Sequence, residues 1–564
     1  MKSKILILFF LLTYLTSKGQ TLQLKIIGNT SIETKIIDSI GYSKNQQSAK
    51  QLIEEINTVS KKLTEIGYIN NQITEKNKDN DSIYTAKIYL EKRIKNIHIY
   101  IGIKKDPFLD NLFNTKQDSI ILPYSQIEPF LKHTIQNLER NGYAFAKVKL
   151  TNIQQKKQNL YADLSISKDN KRNINSIDIK YSNQQKKLFP KGAEKEINKK
   201  HKNTIFNQET VKQIQHDFEE FGFINQIKAP EILFTKDTTK VFVYLEKRKA
   251  NNFDGYLGFN SSENKKIQFN GYLDLTLVNA IKNGEELSIY WKNDGNKQKL
   301  FNASLNIPYL FNSAVAIKAQ INIFKQDSIF QNTKTLLQLG YLLNYNKRIY
   351  LGYESTESSD IQNLNSQSLT DYKNTFYTTT IEFKKNNSKN KLFSIKSYIN
   401  LALGTGNRTT STNPSLKQNF VNFNIMNDFY INEKNIINVK NQNYYLKSQD
   451  YITNELYRFG GINSIRGFSE NSLQANLMIA IMTEYRYLIS SNLYLNSILD
   501  YCYYEDPTTF ATTKTNKKLL GIGLGLGTQT TNGLLKFAIT NGKQSNNEIK
   551  FFNTNVTLNY SIKF

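Results

Sequence analysis

One cysteine, Cys502, stands in 564 residues, so no disulfide framework can form within the chain. The four histidines, His98, His133, His201 and His216, are dispersed and far from Cys502. No cluster has metal-ligand spacing, and neither a metal nor a cofactor is expected. Beyond the first twenty residues there is no apolar run of roughly 18 residues or more, which excludes a chain that crosses a membrane with helices. The patterns GxxxxGK[ST], GxSxG and HExxH are missing, and with them the phosphate-cradling loop, the nucleophile elbow and the zinc helix; the chain is not expected to be an enzyme. Acidic residues are outnumbered, 48 against 74 Lys plus Arg, giving a net charge of +26. The lysines are scattered among Asn, Gln and Ser without a dense basic block, so no nucleic-acid partner is expected. Tryptophan occurs once and proline 8 times, whereas Tyr reaches 34 and Phe 33.

What is present begins with a leader. Met1 to Gln20 carries Lys2 and Lys4, an apolar stretch from Ile5 to about Leu15, and a polar end at Gly19-Gln20. A basic start, an h-region too short to span a bilayer and a cleavable end read as a signal peptide over residues 1–19. The mature chain is therefore expected to begin near Gln20 and to leave the cytoplasm. No cysteine follows the h-region, so a lipid anchor is not expected.

Three repeats follow. Leu63-Thr-Glu-Ile-Gly67-Tyr68, Leu138-Glu-Arg-Asn-Gly142-Tyr143 and Phe218-Glu-Glu-Phe-Gly222-Phe223 each end an amphipathic stretch, with Ile56, Leu131 and Val211 on the same helical face as Leu63, Leu138 and Phe218. Ser48 to Gln51 and Ser125 to Glu128 read as capping boxes, and Asn207 as an N-cap. Gly67, Gly142 and Gly222 then read as helix C-caps that need positive φ. Alternating strands follow each helix at Ile83 to Leu90, Leu160 to Ile166 and Val241 to Leu245. The expectation is three small α+β modules, residues 20–94, 95–171 and 172–249, whose open sheet edges suit an extended client.

From about Asn252 the helical period gives way to a period of two. Phe552, Thr554, Val556, Leu558, Tyr560, Ile562 and Phe564 fall on one face, and Asn553, Asn555, Thr557, Asn559, Ser561 and Lys563 on the other. The first face suits lipid and the second a wet lumen. Ile267 to Leu277 alternates in the same way, and in Leu520 to Gly527 every second residue is glycine, a smooth face against which another segment can lie. At roughly 20 residues per strand and connection, residues 250–564 give about 16 antiparallel strands closed into a transmembrane barrel. The aromatic excess supplies interfacial girdles, and Tyr560, Ile562 and Phe564 close the chain as a C-terminal barrel signal.

Between two strands lies Tyr457-Arg-Phe-Gly460-Gly461-Ile-Asn-Ser464-Ile465-Arg466-Gly467-Phe468. This stretch resembles the signature loop of the BamA/TamA-like outer-membrane assembly and transport superfamily, the bacterial surface antigen proteins. The resemblance implies that the loop folds back into the lumen and that Arg466 meets an acidic residue on the wall, with Gly467 allowing the turn and Phe468 packing beside it. The family's partner aspartate usually sits in a phenylalanine, any residue, aspartate, any residue, glycine pattern. Here Ile498-Leu-Asp500-Tyr-Cys502 keeps the aspartate and replaces both flanking landmarks; Glu484, in Glu484-Tyr-Arg486, competes for the role. The three modules resemble the family's polypeptide-transport-associated (POTRA) modules, including Gly28-Asn29 after the first strand.

The resemblance implies a protein in the bacterial outer membrane with its modules in the periplasm. Its contacts would be outer-membrane lipid, unfolded outer-membrane or secreted proteins as clients, and a periplasmic or inner-membrane partner through the modules. Clients would enter at a lateral seam between a first strand near Phe253 to Asn260 and a last one near Phe552 to Phe564. Three modules fit a TamA-like accessory assembly factor better than the central assembly protein, which typically has five. An exporter of one dedicated secreted partner usually carries two modules and an N-terminal plug helix, and a passive pore or receptor would use the arm only as a tether.

Overall fold

The computed structural model describes residues 21–102, 118–182, 188–261, 267–294, 298–362, 369–387, 390, 392–508, 516–545 and 554–564. The leader, Phe552 and Asn553 lie outside the described residues. The chain divides into two compact units. The first runs to Asn173 and includes Ile205–Glu209; the second holds Ile174–Thr204 and Thr210–Phe564.

The first unit contains two modules. In the first module, β1 (Leu22–Gly28), α1 (Ser31–Ile40), β2 (Asn45–Gln46), α2 (Ala49–Glu65), β3 (Gln72–Lys78) and β4 (Ile83–Tyr89) form a sheet ordered β2-β1-β4-β3. β1 runs parallel to β4, so the chain must cross over between them, and the two helices make that crossover. Leu24 and Ile26 of β1 pack on Ile56, Val59 and Leu63 of α2 and on Ile88 of β4 to make the core. In the second module, β5 (Asn96–Tyr100), β6 (Ser119–Pro123), α3 (Ile127–Arg140), β7 (Lys147–Lys156) and β8 (Asn159–Ser167) repeat the plan, ordered β6-β5-β8-β7 with β5 parallel to β8.

The second unit starts with the third such sheet. β9 (Ser176–Tyr181) is parallel to β12 (Thr239–Lys247), which also pairs with β10 (Ile224–Gln226) and β11 (Glu231–Phe234); α4 (Lys191–His201) and α5 (Gln208–Glu219) lie between them in the chain.

The helix ends depart from the sequence expectation in places. Ser48 caps α2 by accepting from the Gln51 N–H at 3.3 Å, but Gln51 reaches back to the N–H of Gln47 and not of Ser48. Ser125 is no cap, because Pro123 leads into a 3₁₀ turn over Tyr124–Gln126 that runs straight into α3. Asn207 directly precedes α5. Gly67 and Gly142 follow their helices at φ of 108° and 94°, and their carbonyls accept from Ile94 and Arg172, where the chain leaves each module. Gly222 lacks the left-handed φ, which corrects its assignment as a cap. α5 ends three residues earlier, and Phe221 and Phe223 are drawn into an aromatic cluster with Phe189, which also touches Phe218. That packing sets the path of the chain in place of a glycine turn.

The rest of the second unit is a closed barrel of sixteen antiparallel strands. They are β13 (Asn252–Ser261), β14 (Ile267–Val278), β15 (Glu286–Asn293), β16 (Gln298–Leu310), β17 (Val315–Gln326), β18 (Phe330–Asn344), β19 (Lys347–Asp360), β20 (Tyr372–Asn386), β21 (Ile395–Thr410), β22 (Leu416–Tyr430), β23 (Asn435–Lys447), β26 (Leu477–Ser490), β27 (Leu493–Glu505), β28 (Asn516–Gln529), β29 (Gly533–Gln544) and β30 (Asn555–Lys563). A small hairpin, β24 (Tyr457–Phe459) with β25 (Leu473–Ala475), interrupts the series. Cross-strand rows such as Leu337–Tyr353–Tyr377 put large apolar side chains on the outside, exposed by 57%, 45% and 73%. On the inner face the neighbouring row is polar, with Gln338 donating to Thr378 and Thr380 at 3.2 and 3.0 Å. Apolar outside and polar inside is the pattern of a barrel whose outer wall faces lipid. Among the described residues, closure leaves no unpaired barrel edge except where the two terminal strands meet.

Candidate functional site

Residues 448–476, between β23 and β26, turn back into the lumen. Gly460 and Gly461, at φ of 107° and 96°, start the fold-back; the Gly461 N–H donates to the Ile465 carbonyl at 3.2 Å and Ser464 N–H to the Gly461 carbonyl at 3.1 Å. A side chain at Gly460 would stand 2.6 Å from the Ser469 carbonyl oxygen, so the turn is too tight for any other residue. Ile465 is fully buried among Phe459, Met478, Met482, Cys502 and Leu519, with Phe468 packed against that cluster. Cys502 is thus a core side chain.

Arg466 stands at the centre. Its backbone N–H and Nε donate to Asp500 Oδ2 at 2.9 and 2.8 Å, and Nη2 donates to Oδ1 at 2.5 Å. Nη1 donates to Glu484 Oε1. The two carboxylates considered from sequence therefore both engage it. Asp500 is 0% exposed and takes the bidentate share, while Glu484 is bound from its other oxygen by Arg486 Nε at 2.7 Å. Arg486 continues to Asp428 at 3.0 Å, which also accepts from Asn438 at 2.7 Å. Two guanidinium and three carboxylate groups form one chain, so each buried charge has a partner to offset its desolvation.

The glycine-rich strand explains how the loop comes so close. Gly521, Gly523, Gly525 and Gly527 of β28 pair with Asp500, Ile498, Asn496 and Tyr494 of β27 and so share the inner face with them. A Cβ on Gly521 would lie 2.2 Å from the Arg466 carbonyl oxygen. Gly467, at φ 90°, meets the β29 backbone at Asn541 and Gly542, and Phe468 lies over Gly542. Backbone lies against backbone only because three glycines meet there.

Sequence reasoning missed further attachments of the same loop. Arg408 of β21, 2% exposed, donates to Glu455 and Asp450 at 2.5 and 2.6 Å, and Gln418 of β22 holds the second Glu455 oxygen at 2.9 Å. Asn454 donates to Ser358 and to the Thr370 carbonyl at 2.7 and 2.8 Å, and its own carbonyl accepts from Asn332 at 2.6 Å. Glu470 is bound by Lys292 and by Tyr290 Oη of β15. None of these pairs has a local spacing that could have announced it.

The remaining feature is the junction of the barrel's ends. β13 pairs with β14 along its whole length, Asn252 to Ser261, and β30 pairs with β29 from Asn555 to Ile562. Between themselves, among the described residues, β13 and β30 are paired only at Asn252–Lys563 and Phe253–Ile562. The Asn559 amide reaches the Asp254 carboxylate across the junction, and the Phe564 N–H donates to the Asn251 carbonyl at 3.2 Å. Tyr560 and Ile562 lie on the outward face of β30 and Phe564 directly follows it, each more than a third exposed.

At the mouth where β13 begins, the third module is fastened to the barrel's turns. Tyr345 Oη donates to Asp217 Oδ1 at 2.7 Å, the Asn386 N–H donates to Glu220 Oε2 at 2.9 Å, and Asn279 donates to the Leu188 carbonyl at 2.9 Å. Asp217 is also bound by His201 Nε2 at 2.6 Å and Lys200 Nζ at 2.8 Å. Burial pushes the Asp217 carboxyl up, but the hydrogen bonds from His201, Lys200 and Tyr345 outweigh it and hold the group below its ordinary range. Glu220, buried with fewer donors, is pushed above its ordinary range.

No family model and no curated protein sequence matches the chain. Solved structures do. BamA from Haemophilus ducreyi lacking POTRA domains 1–3 is similar at 15% identity over 82% of this chain and 98% of that one, with a TM-score of 0.46. CdiB from Acinetobacter baumannii is similar at 12% identity over 84% and 90%, TM-score 0.49, and CdiB from Escherichia coli at 12% over 94% and 98%, TM-score 0.47.

Proposed function

We propose that this protein is an outer-membrane barrel of the BamA/TamA type that helps insert or translocate β-barrel or surface proteins, taking unfolded clients along its periplasmic modules to a lateral seam. The observation that carries the reading is the junction of β13 and β30, which is paired at two positions although both strands continue well past them. In lipid an unpaired strand edge is costly, because no water reaches its N–H and C=O groups. A client strand that adds to that edge satisfies it, so the same backbone chemistry that weakens closure draws in the substrate. Among the described residues the module sheets also have unpaired edges, at β2 and β3 in the first and β6 and β7 in the second, which suit the same mode of capture. No nucleotide, metal or catalytic side chain has a part in this scheme, and the protein acts as a non-enzymatic scaffold.

The internal loop bears on the competing uses. It is fastened to inner-wall residues of β15, β18, β19, β21, β22, β26 and β27, which favours a seam over an open lumen as the working route. The test is a pair of cysteines at Phe253 and Ile562 in a Cys502→Ser background. Directly opposed residues in an antiparallel pair have Cα atoms about 4.5–5.5 Å apart, within the range a disulfide bridges. Under oxidation the locked barrel should lose client insertion, with recovery on reduction; full activity while locked would remove the seam from the mechanism. Depletion of the protein with comparison of outer-membrane and secreted proteomes separates the uses: loss of several barrel proteins supports assembly, loss of one secreted protein supports a dedicated exporter, and no change supports a pore or receptor.

A further inference from the structure

We infer that Glu470 and Lys292 form a clasp that holds the β13–β30 seam shut from inside the lumen, with the lumen loop as the strap. The inference concerns the seam described above and rests on that reading only in taking the seam as the part that opens.

The loop crosses the seam within a few residues. Arg466 is bound to Asp500 on β27, the thirteenth strand, and Gly467 and Phe468 lie on Asn541 and Gly542 of β29, the fifteenth. Two residues further on, Glu470 binds Lys292 and accepts from Tyr290 Oη at 3.3 Å, both on β15, the third strand. Asn471 then accepts through its carbonyl from Gln298 on β16 at 3.4 Å. β30, β13 and β14 are the strands between these anchor points, and the seam is the boundary between the first two. A short, glycine-tightened stretch is therefore tied to both flanks of the weakest junction in the barrel.

If β13 moves away from β30, the flank carrying β15 moves relative to the flank carrying β29, and a strap of this length cannot stay attached at both ends. The end that yields is set by the two anchors. Arg466 holds a fully buried carboxylate through three bonds, whereas the Glu470 and Lys292 side chains are 31% and 32% exposed. Water can replace the Glu470 contacts as they break, so this end releases at the smaller cost. Glu470 and Lys292 act here as positioning residues that set how often the edge that receives a client is free.

The test is amide hydrogen exchange of the intact chain in lipid bilayers, read at Asn252–Ser261 and Asn555–Lys563. Glu470→Gln and Lys292→Met should each speed exchange there by about fivefold, the scale of a partly exposed ion pair, while amides of β18 to β20 stay at the wild-type rate. Lys292→Glu combined with Glu470→Lys should restore the seam rate, which a general loosening of the loop would not do. Where either single variant fails to assemble, Tyr290→Phe removes one hydroxyl and should give a smaller increase confined to the same amides. Unchanged seam exchange in the single variants, acceleration spread evenly over the barrel, or no rescue by the exchanged pair overturns the clasp. Exchange is measured without clients, so a failed clasp and a failed insertion activity are distinguishable.

Discussion

Replacing Arg466 with methionine removes the guanidinium while keeping most of the stem, so the perturbation falls on charge and hydrogen bonding. Asp500 would then retain only the backbone N–H of position 466, with no exposed surface through which water could replace the lost donors. Glu484 would keep its bond from Arg486, so it is Asp500 that is left as an unpaired buried charge. Removing one partner of a buried ion pair costs about 3–5 kcal/mol, and the surviving N–H bond puts Arg466→Met near the lower end, at about 3 kcal/mol. Asp500→Asn keeps shape and one acceptor, and Arg466 keeps Glu484, so about 1.5–2 kcal/mol is expected there, the scale of a hydrogen bond to a charged group. The double variant should cost little more than Arg466→Met by itself, giving a coupling energy of about 1.5 kcal/mol. Equilibrium urea unfolding in lipid vesicles measures all three. A coupling below about 0.5 kcal/mol, or an Arg466→Met barrel as stable as wild type, would refute the view that this pair fixes the loop to the wall.

Two other outcomes follow from the geometry. Gly521→Ala places a methyl group 2.2 Å from the Arg466 carbonyl and should destabilise the barrel by about 1–3 kcal/mol through overpacking, whereas at Gly525 the nearest atom is the end of the Asn496 side chain, which can turn aside; equal losses in the same unfolding assay would contradict the close approach. At the module–barrel junction, Glu220 has its pKa raised on folding, so its contribution favours the folded state at low pH and is lost as pH rises from the ordinary glutamate value through the folded one. Glu220→Gln should therefore stabilise the docking of the third module at neutral pH and flatten its pH dependence above about 4.5. Asp217, with its pKa lowered, has the opposite sign: its stabilisation is present above the ordinary aspartate value and is lost as pH falls through the folded one. Proteolysis of the third module across pH 3–8 reads both, and a Glu220→Gln profile that overlays wild type would remove the assignment.

What could be read from sequence was what repeats locally. Val556, Leu558, Tyr560 and Ile562 alternate with polar residues because one face of β30 meets lipid, and a period of two survives without any knowledge of neighbours. The glycines of β28 announced a bare inner face, and the loop that fills it was legible through its resemblance to a known motif. Gly222 misled because it sits where Gly67 and Gly142 sit in their repeats, while its local path is set by Phe189, Phe218, Phe221 and Phe223, a tertiary cluster that no helix period encodes. Lys292 and Glu470 are 178 residues apart, and Arg408 and Glu455 are 47 apart. Such pairs exist only because a closed barrel brings separate strands around one lumen, so no spacing along the chain could reveal them.

Every neighbouring pair of barrel strands except one is joined by its own stretch of intervening chain, and the exception is the seam. Fifteen of the sixteen junctions can thus form hairpin by hairpin. The last must bring together residues about 300 positions apart, which makes it the most non-local contact of the wall. Among the described residues two ladder pairs, Asn252–Lys563 and Phe253–Ile562, hold that junction, with the Asn559–Asp254 and Phe564–Asn251 hydrogen bonds beside them, so the most distant contact along the chain is also the least paired in the wall. Until that junction closes, the wall is a curled sheet with two unpaired edges, in the same predicament as the chains the protein is proposed to serve.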